Sequence, residues 1–252
     1  MMDFGKTVKS AQGGKMFFAD IHCHALATVD DGAKDDRTMF SMLDAAYADN
    51  VRILCFTPHW QPSVFGDNRA VSDNAFLRAR EYIKRTGRNM SLFLANELRY
   101  DAAAASWLSD RSCRTLGGTR SVLVDFSAGE SAGRISDGLT RLLGAGYRPI
   151  LAHTERYRSL AFSSGELKRL RSDGVRIQVN ADSILGKAGF GCRMRSHSLL
   201  DSGLADIVAS DSHGIDYRPT MLTKAFEAVS KKYGNLYAAE LFKENPAELL
   251  AR

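Results

Sequence analysis

No run of about 18 apolar residues, the length a membrane-crossing helix needs, occurs anywhere in the 252 residues. The N-terminus likewise has no hydrophobic segment followed by a small-residue cleavage site, so a cytoplasmic location is expected. Cysteine is scarce. Cys23, Cys55, Cys113 and Cys192 stand far apart without a C-x-x-C pair, which argues against a disulfide framework and a thiolate zinc site. A phosphocysteine mechanism is also excluded, because it needs a thiolate six residues before an arginine. The residues six past the four cysteines are Val29, Gln61, Thr119 and Ser198.

Charge carries little information. The net charge of +5 could attract anions. Its basic residues, however, are spread along helical segments such as Lys168 to Arg171 and Arg78 to Arg88, where a solvated face accounts for them. Neither nucleic acid nor membrane insertion is expected.

What is present is a chain with 44% hydrophobic and 25% charged residues, long enough for one sizeable α/β core. Residues 1–15 lack apolar periodicity and read as a flexible leader, leaving residues 16–252 as a single domain. Seven short apolar runs predict strands: Phe17 to Ile21, Val51 to Phe56, Leu92 to Ala95, Val122 to Phe126, Pro149 to Ala152, Val175 to Val179 and Asp206 to Ala209. Helical periodicity fills the gaps at Thr38 to Asp49, after Ser72, and at Arg134 to Leu143, Gly165 to Ser172 and Pro219 to Tyr233. Such alternation fits an open doubly wound sheet or a closed barrel.

The polar residues favour the barrel. Each strand runs out into a ligand-capable group: His22 and His24, His59, Glu97, Asp125, His153, Asn180, then Asp211 and His213. Barrels assemble their sites from every strand's C-terminal end, whereas an open sheet gathers them mainly at its switch point. Five of the six histidines fall in this set, His197 being the exception in a helical segment. Burying so many imidazoles and carboxylates without cations would cost several kcal/mol per unpaired charge. Divalent metal binding follows. In His22-Cys23-His24 alternate residues of an extended segment project from one side, leaving Cys23 to pack into the wall. Nitrogen and oxygen donors without thiolate suit Mn, Zn or Fe better than Ca, and eight or nine donors imply two or three ions.

The segments Asp20-Ile-His-Cys-His24, Val29-Asp-Asp-Gly32, Thr57-Pro-His59, Asn96-Glu97, Ala152-His-Thr-Glu-Arg-Tyr157 and Ala209-Ser-Asp-Ser-His213 resemble the polymerase and histidinol phosphatase (PHP) superfamily. Within it they are similar to bacterial capsular polysaccharide tyrosine phosphatases, over Phe18 to Glu248. The resemblance implies a distorted seven-stranded (β/α) TIM-like barrel, a manganese-type centre of up to three ions, and dephosphorylation of a phosphotyrosine-bearing tail on a bacterial tyrosine kinase. It implies His22, His24, Asp31, His59, Glu97, Asp125, His153, Asp211 and His213 as ligands, with Arg156 and Arg218 holding phosphate beside Asp31. Asp125 departs from the family's usual Glu.

Rival readings remain in view. Gly129-Glu-Ser-Ala-Gly133 matches the serine-hydrolase elbow, but Ser131 reads better as a helix cap. Amidohydrolase barrels need a bridging lysine where this chain offers Glu97 and Asp125. A histidinol-phosphatase-like enzyme and a degenerate barrel serving as a kinase-binding scaffold are the alternatives, and Trp60 with Phe65 could form an aromatic rim for a tyrosine ring. Because no thiolate is required, alanine or serine at any of the four cysteines should leave phosphatase turnover within a few fold. A trapped phosphocysteine would refute this.

Overall fold

The computed structural model describes residues 16–160 and 164–251, so the expected leader, residues 1–15, lies outside the described residues. The strands, in chain order, are β1 (Phe18–Asp20), β2 (Val51–Phe56), β3 (His59–Trp60), β4 (Ser91–Leu94), β5 (Glu97–Arg99), β6 (Ser121–Asp125), β7 (Arg148–Leu151), β8 (Arg176–Asn180) and β9 (Ile207–Ala209). All their pairings are parallel, in the orders β1-β2-β4 and β3-β5-β6-β7-β8-β9.

The two sheets are one wall interrupted in two adjacent strands. β3 continues β2 across Thr57-Pro58, and β5 continues β4 across Ala95-Asn96. Pro58 has no N–H to give the ladder. Across the gap its carbonyl accepts from Glu97 N at 3.2 Å and from Asn96 Nδ2 at 3.1 Å, while the Asn96 backbone N–H turns away to the Arg114 carbonyl at 3.1 Å. At the other edge the Asp211 amide donates to the His22 carbonyl at 2.8 Å, and His24 N to the Ser212 carbonyl at 2.9 Å. This closes seven strand positions into a distorted (β/α)7 barrel, as the sequence implied.

Along the strands the two faces separate by parity. Leu123, Ile150, Ile207 and Ala209 point into the barrel with Ala19, Ile53 and Cys55. Val122, Val124, Ile177 and Val179 point outward into the larger core under the helices. Those helices are α1 (Asp36–Ala48), α2 (Arg69–Thr86), α3 (Ala132–Gly144), α4 (Ser164–Ser172), α5 (Phe190–Asp201) and α6 (Leu222–Tyr233). Asp35 caps α1 by accepting from Thr38 N at 2.7 Å. Ser131 caps α3 by accepting from Arg134 N at 3.2 Å, which disposes of the nucleophile-elbow reading.

Most helix starts fall within two residues of expectation, and two lie further off. α2 begins at Arg69, before Ser72, whose hydroxyl instead donates to the Asn68 carbonyl at 2.8 Å from within the helix. α6 begins at Leu222 rather than Pro219 because its cap comes from elsewhere in the chain. Asp49 accepts from Leu222 N at 2.6 Å and from Thr223 N at 3.1 Å.

Barrel closure leans on one buried carboxylate. Asp20, 1% exposed, accepts from Ser210 N at 3.0 Å and His22 N at 3.3 Å, and burial pushes its carboxyl up to about 6 despite these donors. Asp20→Ala strands the Ser210 amide and should cost about 1–3 kcal/mol in denaturant unfolding. Asp20→Asn keeps an acceptor oxygen without the buried charge and should cost less than half as much. Equal losses would show that the hydrogen bonds are not what matters.

Candidate metal centre

All nine expected ligands converge at the C-terminal end of the barrel. Four overlapping groups, each with its donor atoms within 4.8 Å of one another, contain them all: His24, Asp31, His59 and His213; His22, His24 and Asp211; His22, Glu97 and His153; His59, Glu97 and Asp125. Strand parity explains part of this, since Glu97 and Asp125 share the inward face with the barrel core. The rest depends on bends after the strands. His153 (φ 31°), Asp211 (φ 51°) and Arg218 (φ 49°) hold left-handed backbone, a strain that persists only where the surroundings impose it.

Glu97 is the centre. Fully buried, it stands 2.9 Å from His153 Nε2, 2.8 Å from His59 Nδ1, and 3.4 Å from both His22 Nε2 and His24 Nε2. Burial opposes its charge, but the surrounding imidazoles hold its carboxyl well below the usual range. Asp211 behaves in the same way, with His22, Arg156 and Arg218 as its partners. The imidazoles respond reciprocally. Against the effect of burial, His24 is pushed up to about 9, chiefly by Asp30, and His59 to about 11, chiefly by Glu97. Burial and the neighbouring His24 push His213 down.

The donor set fits divalent cations. His22 Nε2 and His24 Nε2 face each other at 3.2 Å. His59 Nδ1 and Glu97 Oε2, although 2.8 Å apart, each lack a hydrogen bond, as does the buried His153 Nδ1. Buried polar atoms rarely go unpaired, and His59 Nδ1 and Glu97 Oε2 here face each other inside a cluster of ligand-capable side chains. In the metal-free protein, protons on His24 and His59 supply the positive charge.

Some residues take places the sequence could not assign. Of the adjacent acids, Asp31 lies at the edge, its side chain 58% exposed and its Oδ1 3.4 Å from His59 Nε2 and 3.6 Å from His213 Nε2. Asp30 is the buried partner. It accepts from His24 Nδ1 at 2.7 Å, His59 N at 2.9 Å and Gly32 N at 3.0 Å. Gly32 is required there, since a Cβ on it would lie 1.8 Å from the His24 carbonyl oxygen. Asn180 sits behind Asp211 and donates to its Oδ2 at 2.8 Å. Asp125 is held by the Tyr157 hydroxyl at 2.9 Å and by Arg99 at 2.8 Å. Neither holder was among the sequence candidates. Trp60 is buried edge-on against Trp107 and forms no rim. Phe65 does reach the site, stacked on His59 with centroids 5.6 Å apart and planes 6° apart. Cys23 packs against the Ser212 hydroxyl, its thiol pushed up by burial.

Arg156 and Arg218 both reach Asp211, Arg156 at 3.0 Å. Arg218 also donates to His213 Nε2 at 3.3 Å, which leaves His213 Nδ1 to donate to the Asp211 carbonyl at 2.9 Å. With Arg99 they line a pocket of about 180 Å³ whose walls include Asp31, His59, Glu97, Asp125 and His153 and, among the described residues, no lysine.

A closed parallel barrel with imidazoles and carboxylates converging at its strand ends is the architecture of metal-centred hydrolases. Among solved structures, a phosphotriesterase homology protein from Escherichia coli shares the fold, with a TM-score of 0.60 at 11% identity, over 94% of this chain and 100% of that one. The family model for capsular polysaccharide synthesis, CpsB/CapC, matches residues 18–251, and the chain belongs to that family. The tyrosine-protein phosphatase CpsB of Streptococcus pneumoniae is 30% identical over 92% of this chain and 97% of its own length. The putative tyrosine-protein phosphatase CapC of Staphylococcus aureus is 30% identical over 82% and 81%. A crystal structure described as one of YwqE from Bacillus subtilis and CpsB from Streptococcus pneumoniae, unique metal-dependent tyrosine phosphatases, superposes with a TM-score of 0.84 at 27% identity, over 92% of this chain and 93% of that one.

Because His24 and His59 carry protons at neutral pH in the metal-free protein, a cation that takes their lone pairs must release them. Manganese affinity should therefore fall by about a hundredfold per released proton between pH 8 and pH 6. Titration calorimetry in buffers of different ionisation enthalpy would count the protons. A pH-independent affinity would place the ion elsewhere.

Proposed function

We propose that this chain is a metal-dependent protein-tyrosine phosphatase of capsular or exopolysaccharide synthesis, acting in the cytoplasm on the phosphotyrosine-bearing tail of a bacterial tyrosine kinase. Residues 16–252 are read as one barrel domain. The observation that carries the proposal is the pairing of Arg156 and Arg218 on Asp211, which stations two guanidinium forks over the histidine and carboxylate cluster. The names of the relatives point to the same chemistry. No helix among the described residues is long and apolar enough to cross a membrane.

His22, His24, Asp31, His59, Glu97, Asp125, His153, Asp211 and His213 would hold two or three divalent ions, manganese foremost, with zinc, iron or magnesium as alternatives. Such ions, when bound, lower the pKa of water from about 15.7 towards 7 and neutralise charge on a phosphate. The protein's own groups do the rest. Arg156 and Arg218 offer planar, fixed donors to the phosphate oxygens, and their tie to Asp211 orders them before substrate arrives. Phe65, half-buried and stacked on His59, gives the mouth of the pocket an apolar wall suited to a tyrosine ring. The strand-end walls exclude bulk water from the buried carboxylates, which sharpens every electrostatic contact inside. Phenolate is a tolerable leaving group and calls for little proton donation.

With manganese added, a phosphotyrosine peptide should turn over at least ten times faster than a phosphoserine peptide or histidinol phosphate. A preference for histidinol phosphate would move the chain to the small-molecule branch, and no hydrolysis of any aryl phosphate would favour the scaffold reading. Arg218→Lys should keep metal content yet lower kcat/KM by roughly ten- to a hundredfold, about 1.4–2.8 kcal/mol in transition-state stabilisation. Wild-type kinetics in alanine variants of both arginines would remove the clamp.

A further inference from the structure

β8 contributes no ligand, yet its two inward side chains touch ligands from three other strand ends. Gln178 and Asn180 are both fully buried. Gln178 Oε1 lies 2.8 Å from the His153 backbone nitrogen and 3.1 Å from His22 Nδ1. Gln178 Nε2 lies 2.7 Å from Asn180 Oδ1, and Asn180 Nδ2 lies 2.8 Å from Asp211 Oδ2.

The polarity of this chain follows from one fixed donor. A backbone N–H can only donate, so the Gln178 atom facing His153 is the oxygen. His22 Nδ1 faces that same oxygen and must therefore carry the imidazole proton. Its Nε2 is left with the lone pair, directed at Glu97 (3.4 Å) and Asp211 (3.3 Å). At the far end the Gln178 amide nitrogen must donate to Asn180, which turns the Asn180 amide nitrogen towards Asp211.

We propose that Gln178 and Asn180 are positioning residues for the metal centre: Gln178 fixes the proton-bearing nitrogen and ring orientation of His22, and Asn180 fixes the carboxylate of Asp211, so that β8 sets two ligands without supplying one. The two imidazoles of His22-Cys23-His24 thereby have unlike supports. His24 leans on the Asp30 carboxylate at 2.7 Å and His22 on a neutral amide. A carboxylate behind an imidazole makes it a stronger donor than an amide does, so His22 is the weaker donor of the pair.

The inference rests on reading the cluster as a metal site, and its test is metal binding, measured as manganese content and affinity by equilibrium dialysis and elemental analysis. Gln178→Met, matched in volume but without hydrogen bonds, should lower manganese affinity by about ten- to a hundredfold. Gln178→Glu keeps an acceptor for His22 and His153 but sets a carboxylate oxygen against Asn180 Oδ1, so its manganese affinity should fall clearly less than that of Gln178→Met. Equal losses in both variants would reduce Gln178 to a packing residue and overturn the proposal, as would wild-type affinity in Gln178→Met. Should Gln178→Met not fold, Asn180→Leu removes the donor to Asp211 and the acceptor for Gln178 Nε2, while leaving Gln178 Oε1 on His22 and His153. It should lose about three- to tenfold in affinity, and unchanged binding would overturn the proposal. A wild-type protein that bound no manganese would overturn the metal-site reading itself. Full binding without phosphotyrosine turnover would overturn only the proposed substrate.

Discussion

Burying one carboxylate among four imidazoles is the constraint to which the rest of the structure answers. Glu97 is fully buried and lies within 3.4 Å of His22, His24, His59 and His153. In a low-dielectric interior an uncompensated carboxylate would be prohibitive. Compensation requires donors from several directions, and a single helix or hairpin cannot surround a point. A closed ring of parallel strands can, because each strand end approaches the axis from its own side.

The break in the barrel wall serves the same end. Pro58 interrupts the ladder, and Asn96 bridges the gap through its side chain while its backbone N–H turns to Arg114. After this gap the chain resumes parallel pairing with His59 opposite Glu97, so the two residues share one level of the barrel. The left-handed backbone at His153, Asp211 and Arg218 then re-aims side chains that plain alternation would send elsewhere. Strain of this kind costs about 1–3 kcal/mol per residue and is sustained by the hydrogen bonds around it.

Behind the donors stands a layer of unlike supports: a carboxylate for His24, an amide for His22, a phenol and a guanidinium for Asp125, and two guanidinium groups for Asp211. These choices tune the centre differently at neighbouring points. They also explain how Asp125 stays in range of His59 and Glu97, since Tyr157 and Arg99 hold its two oxygens from the side.

The strands, the barrel and eight of the nine candidate ligands were legible in the order of residues, because strand-end placement is a property of local sequence and a barrel converts it directly into convergence; Asp31, away from any strand end, came only from the family resemblance. Ser131 was also legible as a cap, since it and its Arg134 partner are three residues apart. Contacts that cross the chain were not. Asp49 capping a helix that starts at Leu222, Asp30 rather than Asp31 lying behind His24, Trp60 turning into the core against Trp107, and Gln178 joining His22 to His153 each depend on which segments the closed barrel brings together. Sequence periodicity reports the face on which a side chain lies. The neighbour it meets there is decided by the tertiary structure, because partners brought together by barrel closure, such as Asp49 and Leu222, leave no periodic pattern in the sequence.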